Sequence, residues 1–245
     1  MVYSREFFGL QLHFAQRAAA LSGVPLAHAL LACTNLYIRF GLGRSFDAAE
    51  PTWQAYLAGV QNAANGHGGQ ELLDWTFGFY QTRLRHDLPP STVATVGCFS
   101  YARLGPEHLR LHFHNAQEGG DSPLGAGRRD RRVEELRALF AKVDQDEPAA
   151  CRIAGTSWLY NLEAYRRLFP PSYLATAVTA EARLRHMPLW GQFLDRHGAV
   201  RQGVAVAFLH RLAGLRNADG LASCFPFQAL ALEAPVSAFR DFYGR

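Results

Sequence analysis

The chain has 245 residues, 49% of them hydrophobic and 19% charged, a balance that permits a packed core and excludes an extensively disordered polymer. The formal net charge is +4, but Lys142 is the only lysine and the densest basic run, Arg128 to Arg132, is interrupted by Asp130 and followed by Glu134 and Glu135. Alternating signs of this kind describe a solvated helix start, and with no basic patch interleaved with aromatics nucleic acid is not an expected partner.

The first third of the chain reads as helical. "SREFFGLQLHFAQRAAALS" offers Ser4 as N-cap ahead of apolar positions at Phe7, Phe8, Leu12, Phe14, Ala15 and Ala18. "PLAHALLACTNLYIRFGLG" begins with a proline and stops at Gly41 and Gly43, a helix opening and a helix end. Two more helices are expected, one from Pro51 through "TWQAYLAGVQNA" and one in "QELLDWTFGFYQTRLR". Pro89 and Pro90 cannot continue the last of them, so residues 1–88 are predicted to form a helical layer.

Beyond residue 88 the hydrophobic period shortens to two. "TVATVGCFSYARL" and "HLRLHFHN" flank Gly105-Pro106-Glu107 and read as a β-hairpin. "RDRRVEELRALFAKV" is an amphipathic helix, "ACRIAGTSWL" a short buried strand and "NLEAYRRLF" a further helix ended by Pro170 and Pro171. "YLATAVTA", "LWGQFLD", "AVRQ" and "CFPFQALAL" carry strand patterns, "RHG" at His197 a turn, and "VAVAFLHRLAGL" a packed helix. The expected class is α+β: a helical N-terminal layer packed on a mixed, mostly antiparallel sheet with flanking helices. Residues 1–88 and 89–245 are expected to behave as one compact unit.

No apolar run approaches the roughly 20 residues of a membrane span. The N-terminal stretch, with Glu6 and no long apolar core after a basic cluster, is unlike a signal peptide, so the sequence reads as cytoplasmic with no membrane partner. Cys33, Cys98, Cys151 and Cys224 are far apart and set among apolar neighbours, which favours buried small hydrophobes over redox or metal motifs.

"LRLHFHNAQE" is the most suggestive stretch. In a strand, Leu109, Leu111 and Phe113 share one face, and Arg110, His112 and His114 the other, where Tyr101 or Arg103 of the preceding strand is expected to join them. Three readings stand side by side. The row is a solvated strand face; or His112 or His114 transfers a proton while Arg110 holds an anionic group; or His112, His114 and Glu118 bind a divalent metal, a spacing that resembles the first motif of cupins, whose second motif this chain lacks. The long loop that Asn115 opens adds weight to a working site.

A second polar constellation lies at a strand-to-helix junction, where Thr156, Ser157, Tyr160 and Asn161 either contact a ligand or, for Ser157 and Asn161, cap the helix. No G-x-S-x-G elbow surrounds Ser157. Arg39 and Arg44, and Gln192 in "LWGQFLD", are further polar residues in aromatic company.

The order of Leu111-His112, a long helix, Ser157-Trp158-Leu159, a short helix, and Leu168-Phe169-Pro170-Pro171-Ser172 before "YLATA" resembles the GNAT-like acyltransferase domains that follow a helical N-acyltransferase N-terminal domain. The likeness covers roughly residues 94–180. It implies a small-molecule transferase that takes its acyl group from a CoA-type thioester co-substrate, with no tightly bound cofactor. Catalytic candidates are then His112, His114 and Ser157. Arg110, Tyr101, Asn115, Tyr160, Asn161 and Gln192 are the expected substrate contacts. Such enzymes cradle the CoA pyrophosphate on an R/Q-x-x-G-x-G/A turn opening a helix; in "VRQGVAVAF" Gly203 and Ala205 fit the second half, Val200 departs from the first, and Arg201, Gln202 and Gly203 become the cofactor contacts. A metal-dependent enzyme and a non-catalytic small-molecule or partner-binding protein are the alternatives.

Overall fold

A computed structural model describes residues 2–64, 69–83, 92–116, 122–180 and 186–244. In chain order the helices α1 (Arg5–Ser22), α2 (Leu26–Cys33), α3 (Leu36–Arg39), α4 (Pro51–Ala64) and α5 (Gly69–Gln81) come first. The strands β1 (Thr92–Val96), β2 (Phe99–Arg103) and β3 (His108–Phe113) follow, then α6 (Arg129–Asp146), β4 (Arg152–Ser157), α7 (Glu163–Arg166), α8 (Pro171–Leu174) and β5 (Val178–Thr179). The chain ends with α9 (Gln202–Gly214), β6 (Leu230–Pro235) and α10 (Val236–Tyr243). The class is α+β, and among the described residues no helix is long and apolar enough to cross a membrane.

Two compact units emerge: residues 1–87 with 181–227, and residues 88–180 with 228–245. The first is helical. Ser4 caps α1 by accepting the Phe7 N–H, Glu6 sits favourably in the first turn, and Gly23 ends the helix at φ 68°. Phe7, Phe8, Gln11, Leu12, Phe14, Ala15 and Ala18 recur at helical spacing and are buried. Where α4 meets α5, a Cβ on Gly59 would stand 2.1 Å from the Trp75 ring, so only glycine admits that approach. An aromatic group in this unit joins Phe14, Trp190, Phe193, Phe208 and Phe225.

Residues 187–193, read as a strand, form a 3-10 helix instead, with Leu189, Trp190, Gln192 and Phe193 buried. Pro188 near its start supplies no N–H for a sheet ladder, and the buried side chains do not alternate. The following "AVRQ" contributes only the bridge Leu194↔Val200, around a turn in which Asp195 accepts the His197 and Ala199 N–H groups at 2.8 and 3.0 Å.

The second unit holds a six-stranded sheet in the order β1-β2-β3-β4-β6-β5, antiparallel except for the β3–β4 pair. The hairpin expected across Gly105-Pro106-Glu107 joins β2 to β3. The preceding run is two strands rather than one, because Gly97, at φ 55°, turns the chain back on itself. After β3 the chain passes through α6 and returns parallel to it as β4. One face of the sheet builds the core: Phe99, Tyr101, Leu109, Leu111, Ile153, Leu232 and Ala234 pack with Leu136, Leu139, Phe140 and Val143 of α6 and with Phe239 and Tyr243 of α10. Helix α10 carries no signal in the patterns above, and "YLATAVTA" yields a short helix and a two-residue strand.

Candidate functional site

The face of the sheet opposite this core is polar, and cross-strand register fixes its members. His112 lies opposite Ser100, and Arg110 lies between Ala102 on β2 and Ala154 on β4. Ala154 in turn faces Glu233, Thr156 faces Ala231, and His108 faces Arg152. The alternation read from "LRLHFH" therefore holds within β3: Leu109 and Leu111 are buried, and Arg110 and His112 are partly exposed on the other side. Arg152 is ion-paired to Glu233, and His108 Nε2 lies 3.9 Å from the same carboxylate. Arg110 has no such partner among the described residues, its Nε is enclosed without a hydrogen bond, and burial pulls its guanidinium below its usual pKa range.

The parallel ladder of β3 and β4 stops at Leu111↔Gly155 while both strands continue. His112 and Phe113 stay paired with β2, and Thr156 and Ser157 with β6. The two strands thus part at their carboxyl ends. Beneath the divergence, a Cβ on Gly155 would stand 2.2 Å from the hydroxyls of both Tyr160 and Tyr173, which hydrogen-bond each other at 2.8 Å. Burial pushes both phenols well above their usual range, so they remain neutral hydrogen-bonding groups of the core.

At the far end of β3, the His114 backbone N–H donates to the Cys98 carbonyl at 2.9 Å. Burial lowers the His114 pKa, with the Glu135 carboxylate acting in the opposite sense. Glu135 accepts the Cys98 backbone N–H at 3.0 Å and the Arg132 guanidinium at 2.7 Å, and Arg132 also reaches the Cys98 thiol. Arg132 is 1% exposed, which makes this a buried charge pair tying α6 to the β1–β2 turn. Burial raises the Cys98 thiol pKa, consistent with the inert role its apolar neighbours suggested.

Several candidates occupy other places. Tyr101 does not join the histidine row: it pairs with Leu111, is 1% exposed on the core face, and donates to Glu147 at 3.2 Å. Arg103 likewise serves Glu147, at 2.8 Å. The reason is register, since an even offset across the hairpin puts Ser100 and Ala102 beside the polar row instead. Ser157 has the core-face parity and accepts the Leu159 N–H at 3.1 Å, the capping role. Asn161 donates to the carbonyls of Trp158 and Gln228 at 2.8 and 2.9 Å, and Tyr160 is buried, so both are structural ties rather than exposed contacts. Asn115 is exposed just beyond β3.

Gln192, Arg201, Gln202 and Gly203 belong to the helical unit. Gln192 is 2% exposed and exchanges two 2.9 Å hydrogen bonds with the Phe227 backbone. Arg201 precedes α9, and the Gln202 amide donates to Glu6 at 2.8 Å. Glu118 lies outside the described residues. Among those described, no three His, Cys, Asp or Glu side chains come together in a way that could hold a metal ion.

The opening of α6 is a further candidate that local patterning does not single out. Gly125-Ala126-Gly127 leads into it through a 3-10 turn, Gly125 N–H donates to the Ser122 carbonyl at 3.0 Å, and Arg167 braces the carbonyls of Leu124 and Gly125 at 3.3 Å each. The signal was present in the glycine spacing just before an arginine-rich helix start. No family model, curated protein or solved structure matches the chain.

Proposed function

We propose that the protein transfers an acyl group from a CoA-type thioester to a small-molecule acceptor. The observation that carries this reading is the parting of β3 and β4 after Leu111 and Gly155. Strands that diverge at their carboxyl ends leave edge amides and carbonyls for an extended, amide-bearing arm such as that of a CoA thioester. The chain-order likeness adds support: Leu111-His112 lies on β3, α6 follows, Ser157-Trp158-Leu159 closes β4, and Pro170 and Pro171 introduce α8.

The pyrophosphate of the thioester belongs at the opening of α6, where backbone N–H groups and the helix dipole favour an anion and Arg128 adds charge, Arg129 being paired with Asp130. Gly125 and Gly127 fit the second half of the R/Q-x-x-G-x-G/A turn, and Ser122 stands where Arg or Gln is usual. This turn lies in the same unit as β3 and β4 and replaces the α9 opening in the proposal. His112 accepts the proton as the acceptor's amine attacks the thioester carbonyl carbon. The C–S bond breaks, the thiolate takes up a proton, and an amide and a free thiol result.

The test is a thermal shift with acetyl-CoA, alongside desulfo-CoA and free adenosine diphosphate. A thioester-dependent rise supports the reading, because a ligand that binds only the native state stabilises it. Absence of any rise, with no thiol released in the presence of a panel of amines, rejects it.

A further inference from the structure

Among the described residues the strands of the sheet carry three arginines, and two have carboxylate partners: Arg103 with Glu147 and Arg152 with Glu233. The third, Arg110, sits at the centre of the polar face with none among the described residues, and its Nε is enclosed without an acceptor. A half-buried, unpaired guanidinium costs stability, since the charge loses water and gains no partner. Its lateral neighbours on both sides are the small residues Ala102 and Ala154. Ala102 and Ser100 are buried while Thr156 is exposed, so solvent reaches this part of the face from the β4 side.

We propose that the acceptor is a small carboxylic acid whose carboxylate pairs with Arg110 and whose reacting amine lies beside His112. This deepens the acyl-transfer proposal and rests on it for the identity of the reacting group; the acid-binding site itself does not. A carboxylate is favoured over a phosphate by charge. Arg152 is already neutralised by Glu233, so among the described residues the strand arginines of this face offer one uncompensated positive charge, which a single carboxylate balances and a phosphate dianion exceeds. The planar fork also matches a carboxylate in bidentate fashion. Size follows from the strand, since Arg110 and His112 are two residues apart on one face, about 6.6 Å along it. The carboxylate and the reacting amine therefore belong to one small molecule, a few bonds apart. Thr156, exposed on β4, supplies a hydroxyl for a further polar group.

The experiment follows the Arg110 Nε–Hε resonance, assigned by its loss in Arg110→Gln, during titration with succinate, acetate and the neutral diamide of succinate. A saturable shift with either carboxylate and none with the diamide is expected, with affinity weakened on the order of tenfold or more in Arg110→Gln. Arg110→Gln should melt at or above the wild-type temperature, because removing an unpaired charge relieves a cost. A resonance indifferent to both carboxylates overturns the inference, and so does a lower melting temperature in Arg110→Gln, which would expose a structural partner. Acetyl-CoA is measured on both proteins in parallel. Succinate binding without a thioester response leaves the acid site standing and removes the transfer reading, and the converse pattern removes the acid site alone.

Discussion

The Glu135 carboxylate accepts the Cys98 backbone N–H at 3.0 Å, and so fastens the first turns of α6 to the β1–β2 turn. The same carboxylate neutralises Arg132, which is 1% exposed. Truncating one member of a buried pair leaves the other charge uncompensated, at a cost of about 3–5 kcal/mol. Glu135→Ala should lose about that much in urea unfolding, while Glu135→Gln, which keeps an acceptor for Cys98, should lose less. Equal stability of Glu135→Ala and wild type would contradict the pairing.

Gly155 and the two phenols beneath it make a second test. An alanine Cβ there would stand 2.2 Å from the hydroxyls of Tyr160 and Tyr173, closer than packed atoms tolerate. Overpacking of this kind costs about 1–3 kcal/mol. Gly155→Ala should therefore destabilise, and adding Tyr160→Phe and Tyr173→Phe should recover part of the loss by removing the colliding oxygens. A triple variant no more stable than Gly155→Ala would place the strain elsewhere.

Acid stability should report His114. Burial lowers its pKa below 6.5, so between the folded value and 6.5 the unfolded chain binds more protons. Stability rises with pH across that window: the contribution is complete above about 6.5 and is lost as pH falls through the folded value. A titration of the His114 ring proton resonances should give a midpoint under 6.5, and Glu135→Gln, which removes the opposing carboxylate, should lower it further. A midpoint above 6.5 would contradict the burial of this ring.

The polar face was legible from local pattern, and its neighbours were not. Period-two alternation fixes which side of β3 carries Arg110 and His112, because successive side chains must point in opposite directions. Which residues of β2 stand beside them depends on hairpin register, and a one-residue slip moves Tyr101 from the polar row to the core. Gly97 lay inside an apparently continuous strand pattern, and only the left-handed conformation at φ 55° turns it into a hairpin corner. Gln192 reads as a substrate contact because nothing local reveals that the Phe227 backbone satisfies its amide. Long-range partners decide such cases, and a single sequence does not contain them.

Alkaline conditions should expose Tyr101. Its phenol is buried against Glu147, and its pKa is pushed up to about 12 from 10.0 by burial first and then by that carboxylate. A raised folded pKa means that the stabilisation is present below about 10 and is lost as pH rises toward 12. Tyrosinate absorbance should therefore lag behind that of free tyrosine and appear together with loss of near-ultraviolet circular dichroism. Tyr101→Phe should lessen the loss, and ionisation of Tyr101 near 10 with the fold intact would refute its burial.

If acyl transfer proceeds as proposed, His112 is the group whose loss is felt in turnover. It stands opposite Ser100, at the point where β3 leaves β4 and beside the arginine that carries the carboxylate. A positioned general base contributes about 10²–10⁴-fold to rate. His112→Ala should reduce kcat within that range with little change in the KM for either substrate, whereas Arg110→Gln should raise the KM for the acid and leave that for the thioester near wild type. The acidic limb of the kcat/KM profile, set by the free base, should disappear in His112→Ala and persist in His114→Ala. Wild-type turnover in His112→Ala would remove the histidine from the chemistry, and a flattened profile in His114→Ala instead would move the base two residues along the chain.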